Sequence, residues 1–196
     1  MLACSILDDH VRHEALPMSD SKTYFAPVDP THAPFSIEDL ILRLQAAGFL
    51  GEAIHGWPRS FRFPNEDVQR FIANALVEPS AIDDSFISFE FAPEMELFAS
   101  CYFDEADVAC RCGFRLGDNA APLFVRAWES KATRDTVQCP SCRRENYPWE
   151  WNWHHCVGFG RQWIEAGSGN PVPTQELLAL LKECTGLEWD YTFYHL

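Results

Sequence analysis

No stretch of this chain of 196 residues approaches the roughly 20 consecutive apolar residues that a membrane-spanning helix needs. Nor does its beginning, Met1-Leu2-Ala3-Cys4 running on to Asp8-Asp9-His10, carry the basic cluster and apolar core of a secretion signal. The expectation is a cytoplasmic protein with no membrane partner. Positive charge is scarce, with 15 Lys and Arg against 29 Asp and Glu and a net charge of −14. Such a surface repels phosphate backbones and attracts basic partners at long range. Catalytic signatures are missing too. There is no Gly-x-x-x-x-Gly-Lys loop, so the acidic string Asp104-Glu105-Ala106-Asp107 has no phosphate-binding companion. Gly-x-Ser-x-Gly, His-Glu-x-x-His and a dinucleotide fingerprint are equally absent, as are internal repeats and low-complexity tracts.

Core material, by contrast, is plentiful. Hydrophobic residues make up 47% of the chain and aromatics 14%, which excludes a disordered protein. Residues 1–35 hold Pro17, Pro27, Pro30 and Pro34 without a sustained period and read as an extended or mobile lead-in. Met18 looks like a second possible start, which would leave the first 17 residues outside the native protein. From Ser36 the signals sharpen. Ser36 caps a helix whose apolar stripe is Ile37, Leu40, Ile41 and Leu44, closed by Gly48. Pro64-Asn65 announces a second helix with the stripe Val68, Phe71, Ile72, Ala75 and Leu76. Thr174 caps a third, bearing Leu177, Leu180, Leu181 and Cys184 and stopped by Gly186.

Elsewhere the period is two. Ile87, Phe89 and Phe91 form one alternating run, and Met95, Leu97, Ala99, Cys101 and Phe103 form another. Pro93 between them predicts a tight antiparallel connection. A last strand carries Trp189, Tyr191, Phe193 and His195. Together these elements predict an α+β fold, a mainly antiparallel sheet with about three helices. The body takes residues 36–108 and 162–196, and residues 109–161 interrupt it.

That interruption carries the strongest chemical signal. Cys110-x-Cys112 and Cys139-x-x-Cys142 are two close thiol pairs separated by 26 residues. Tetrahedral Zn2+ takes four thiolates about 2.3 Å away, and two short turns supply them economically. Gly113 follows the first pair, where a left-handed residue closes such a turn, and Pro140 stiffens the second. The dithiol alternative, Cys139 and Cys142 as a redox pair, calls for a strand-to-helix junction in a βαβ unit, and none is visible. The segment resembles the zinc-ribbon class, in which two knuckles at the tips of β-hairpins share one ion. It departs from the common pattern in having Cys-x-Cys first and in placing Arg143 where a small residue is usual. The resemblance implies a zinc-ribbon-like β module. Four thiolates close the coordination shell, so the expected ion is structural, one Zn2+ per chain held by Cys110, Cys112, Cys139 and Cys142.

Charge divides along the same boundary. Between Cys110 and Arg161 eight Lys and Arg face five Asp and Glu, a side-chain charge of +3, which leaves −17 on the remainder. The leading functional expectation is a non-enzymatic protein whose acidic body binds a protein partner, a basic one by charge, as an inhibitor or immunity-type protein would. A second reading is nucleic-acid binding through Arg111, Arg115, Arg143 and Arg144. A third is an enzyme with a dispersed site built from His55, His154 or His155. His154, His155 and Cys156 adjoin Trp149, Trp151 and Trp153, whose alternation with Glu150 and Asn152 predicts a strand with three indoles on one face. That face is either core or a stacking platform. On such a strand one histidine ring is buried and the other exposed, and His154 is the alternative ligand for the metal.

Overall fold

The computed structural model describes residues 22–63, 68–73, 86–100, 108–129, 133–167 and 171–194. In chain order its regular elements are β1 (Lys22–Pro27), α1 (Ile37–Ala46), β2 (Ser60–Arg62), α2 (Val68–Phe71), β3 (Phe86–Ser100), α3 (Ala120–Glu129), β4 (Val137–Gln138), β5 (Glu145–Asn146), β6 (Val157–Gly167), α4 (Gln175–Thr185) and β7 (Trp189–Tyr194). One antiparallel sheet of five strands runs in the order β2-β3-β6-β1-β7, and β4 with β5 makes a separate two-stranded ribbon. The fold is α+β.

The capped helices form where local chemistry specifies them. Ser36 takes an extended conformation and its Oγ accepts the Asp39 amide at 3.1 Å, satisfying one of the orphan donors of the first turn of α1. Thr174 does the same for α4, accepting from Leu177 at 3.3 Å. The chain leaves these helices through Gly48 and Gly186, both left-handed. Leu40 and Leu44 of α1, Phe71 of α2, and Leu177 and Leu181 of α4 bury themselves against Phe25, Ile87, Phe89, Ile164 and Ala166 on one face of the sheet. Each such side chain contributes about 1.5–3 kcal/mol by leaving water. Of the second predicted helix only Val68–Phe71 is described as helical; residues 64–67 and 74–85, and with them Ala75 and Leu76, lie outside the described residues.

Three expectations are corrected. First, structure begins well before Ser36. Lys22–Pro27 is β1, hydrogen-bonded between β6 and β7 inside the sheet. Thr23, Tyr24 and Phe25 are all buried, so neither face of this strand is polar and no alternation betrays it. Second, Pro93 does not join two antiparallel strands. β3 is one strand of 15 residues along β6, and Pro93 falls where pairing lapses. Phe91 stands opposite Gln162 and Glu96 opposite Gly160, five steps on β3 against two on β6. Proline has no N–H to give the ladder, and the bulge absorbs it. Third, Trp149–Trp153 is not a strand. Pro148–Glu150 is a 3-10 turn, Trp151 and Trp153 are buried, and Trp149 stacks on Tyr147 at 4.5 Å. The indoles serve as core. Asp104–Asp107 and His195 lie outside the described residues.

Two elements are additions. Helix α3 buries Ala120, Leu123 and Ala127, positions i, i+3 and i+7, inside the segment read as a β module. Strand β6 runs unbroken through residue 161. It can lie close under β3 because Gly158 has no side chain, and a Cβ there would come 2.5 Å from the ring of Phe98. Past the bulge, Leu97 of β3 and Val157 and Phe159 of β6 join Val108, Leu116, Leu123, Trp151 and Trp153 in a second core, which also contains Cys110 and Cys139. The sheet thus carries one core under its helices and another at the cysteine module.

Candidate metal centre

The first thiol pair sits on a tight turn. Ala109 and Arg115 face each other in an antiparallel bridge, the Leu116 amide donates to Val108 at 2.8 Å, and the Cys110 amide to Phe114 at 2.8 Å. Within the turn Gly113 donates to the Cys110 carbonyl at 2.8 Å, with φ +87°, a conformation that costs glycine nothing. The second pair tops the β4–β5 ribbon. Cys139 donates to Arg144 at 2.8 Å and accepts from Arg143 at 2.9 Å. Arg143 holds φ +59°, doing in the second knuckle what Gly113 does in the first. Its side chain is tolerated because it is exposed. Both knuckles therefore sit at the tips of antiparallel turns, as the sequence resemblance implied.

Tertiary packing brings the knuckles face to face. Cys110 Sγ lies 3.8 Å from Cys142 Sγ and Cys112 Sγ 3.7 Å from Cys139 Sγ, and all four sulfurs fall within 4.8 Å of one another. A disulfide requires about 2.05 Å, so these are thiols held apart. A tetrahedron of sulfurs each about 2.3 Å from a central ion has edges of about 3.8 Å. The four cysteines fit a metal ion of that kind. Cys110 and Cys139 are buried in the second core, while Cys112 and Cys142 face solvent.

The surroundings pull two of the sulfurs in opposite directions. The Phe114 amide points at Cys112 and, with help from the neighbouring thiols, pulls its pKa down to about 7. The Arg144 amide pulls Cys142 the same way, but removal from water and the three other sulfurs outweigh it and push that thiol up to about 11. The neighbouring thiols oppose one another's ionisation, and a cation among them would favour the thiolate of each. Buried Asn146 donates from Nδ2 toward Cys110 Sγ at 3.9 Å and to the Arg144 carbonyl at 3.0 Å, tying one knuckle to the other.

The histidines lie elsewhere. All four cysteine positions are filled by converging sulfurs, so no ligand is left for His154 to supply. His154 and His155 occupy φ +50° and +63° in a turn closed by the Cys156 amide donating to Trp153 at 2.9 Å. Both are exposed, because a left-handed turn and not a strand carries them. His155 Nδ1 meets the Tyr191 carbonyl at 2.8 Å, its ring stacks on Tyr191 at 4.5 Å, and its backbone carbonyl accepts the Phe193 amide at 3.0 Å. The Cys156 thiol donates to the His154 carbonyl. His55 lies in the loop before β2, at the opposite edge of the sheet from β7. These groups do not converge on one reacting atom.

No family model, curated protein or solved structure matches this chain. Among the described residues no helix is long and apolar enough to cross a membrane.

Proposed function

We propose that Cys110, Cys112, Cys139 and Cys142 hold one structural Zn2+ and that the protein works by binding a protein partner, a basic one, and not by catalysis. The spacing of the four sulfurs carries the first half. Four thiolates leave no open position for water or substrate, and two of them are packed into a core that the ion would complete. The second half is carried by the surface beside β2. Trp57 and Phe91 are 65% and 58% exposed, Arg59 lies over the Phe91 ring at 5.1 Å, and the walls of an 850 Å³ groove also include Pro58, Phe86 and Phe89 beside Lys22, Glu90 and Glu165. Exposed aromatics of this kind anchor protein interfaces. A net charge of −14 would steer a basic partner toward them, as an inhibitor or immunity-type protein requires.

Elemental analysis of protein purified without added metal should give about one zinc per chain, and each Cys→Ser change should abolish it. Partner capture from native lysate, repeated with Trp57→Ala, tests the rest. Retention at low salt that weakens with ionic strength and with Trp57→Ala supports the reading, and no retention at any salt overturns it. The alternative, nucleic-acid binding, is favoured by Arg111, Arg115, Arg143 and Arg144, all exposed on the two knuckles, the last of them ion-paired with Glu150 at 2.8 Å. A mobility shift that vanishes steeply with salt would revive it.

A further inference from the structure

At the far edge of the sheet from Trp57, a cavity of 430 Å³ opens between the cysteine module and the ends of β1 and β7. That volume suits a small organic group. Its walls include Trp149, Trp151, Trp153, Phe98, Tyr191 and the His154–His155 turn. Aromatic faces carry negative charge at their centres. Among the described residues no Lys or Arg lines the cavity, and Asp190 is the one carboxylate on its wall. Asp190 is positioned by accepting the Tyr191 amide at 2.8 Å, and its Oδ1 also lies 3.4 Å from His155 Nδ1. Two left-handed non-glycine residues in succession cost free energy, and here they hold a ring flat against Tyr191 on the cavity wall. Outside, a net charge of −14 raises the local concentration of cations and lowers that of anions.

We infer that this cavity binds a substituted ammonium group, either on a free organic cation or on an alkylated lysine of a protein. A weakly hydrated cation gains from the half-buried Trp149 on the wall and from Asp190, whereas among the described residues an anion meets no cationic residue of permanent charge. The site is separate from the Trp57 groove and does not rest on the partner reading.

The full chain, with its metal content verified, is titrated with choline and with its neutral isostere 3,3-dimethylbutan-1-ol while tryptophan fluorescence is followed. Choline should quench saturably, with the alcohol about tenfold weaker, the equivalent of about 1.4 kcal/mol of cation–π and charge attraction. Asp190→Asn, whose Oδ1 can still accept the Tyr191 amide, should weaken choline severalfold and leave the alcohol unchanged. Trp57→Ala should change neither. A short trimethyllysine peptide binding at least tenfold more tightly than choline assigns the ammonium to a protein, and the reverse assigns it to a free cation. Equal binding of choline and the alcohol, or no saturable response to choline or the peptide, overturns the inference; this wild-type comparison decides even if Asp190→Asn fails to fold.

Discussion

A single asparagine couples the two knuckles. Asn146 is buried, and its Nδ2 serves both the sulfur of Cys110 and the carbonyl of Arg144. Asn146→Ala should leave one zinc bound per chain but weaken it by about 10–100-fold, the usual loss when a group supporting a metal ligand is removed. Competition against a chromophoric chelator reads this directly, and an unchanged affinity would assign Asn146 to packing alone. Arg143 invites the opposite experiment. A non-glycine residue at φ +59° costs about 1–2 kcal/mol, and glycine returns about 0.5–1 kcal/mol of that as unfolded-state entropy. Arg143→Gly should therefore raise stability by about 0.5–1 kcal/mol in denaturant melts of the metal-loaded protein. Sequence alone identified Arg143 as the odd residue of its knuckle, but not that its backbone angle matches that of Gly113.

Elements were legible in proportion to how locally they are specified. Ser36 and Thr174 cap their helices through hydrogen bonds to amides three residues on, so the short segment contains both donor and acceptor. Thr174→Ala should cost about 1 kcal/mol, and Leu181→Ala, which empties a fully buried site, about 2–5 kcal/mol. Comparable losses for the two in urea melts would mean that α4 is held by its ends and not by its face. Helix α3 followed the same rules, with Ala120, Leu123 and Ala127 on one stripe, but two of the three are alanines and mark the stripe weakly. The β-strands were harder. β1 is buried on both faces and only six residues long, and β6 carries three glycines where aromatic rings of β3 need room. The Pro93 break in β3 depends on what β6 does opposite it. None of these facts resides in the strand that displays it.

The two cores are joined by β3 and β6. The first gathers the apolar faces of the helices and sheet, while the second contains two of the four cysteines. On the proposed zinc reading, metal binding in so small a module would be folding free energy, so the cores should part company when the ion is taken away. Hydrogen exchange after chelation is expected to show the amides of 108–116 and 137–146 losing protection while those of α1 and α4 keep theirs. Global exchange of both would mean that the ion supports the whole molecule. The same division has an electrical counterpart, since the segment from Cys110 to Arg161 carries a side-chain charge of +3 and the remaining chain −17.

Sequence by itself singled out the four cysteines, the ends of the capped helices and the sign of the net charge, because each depends on residue type and on neighbours a few positions away. Tertiary structure decided that Cys110 and Cys142, 32 positions apart, stand with sulfurs 3.8 Å from each other, that Lys22–Pro27 is an inner strand, and that the tryptophans after Tyr147 fill a core. Those outcomes depend on contacts between distant segments, and only the folded chain brings the two partners within range.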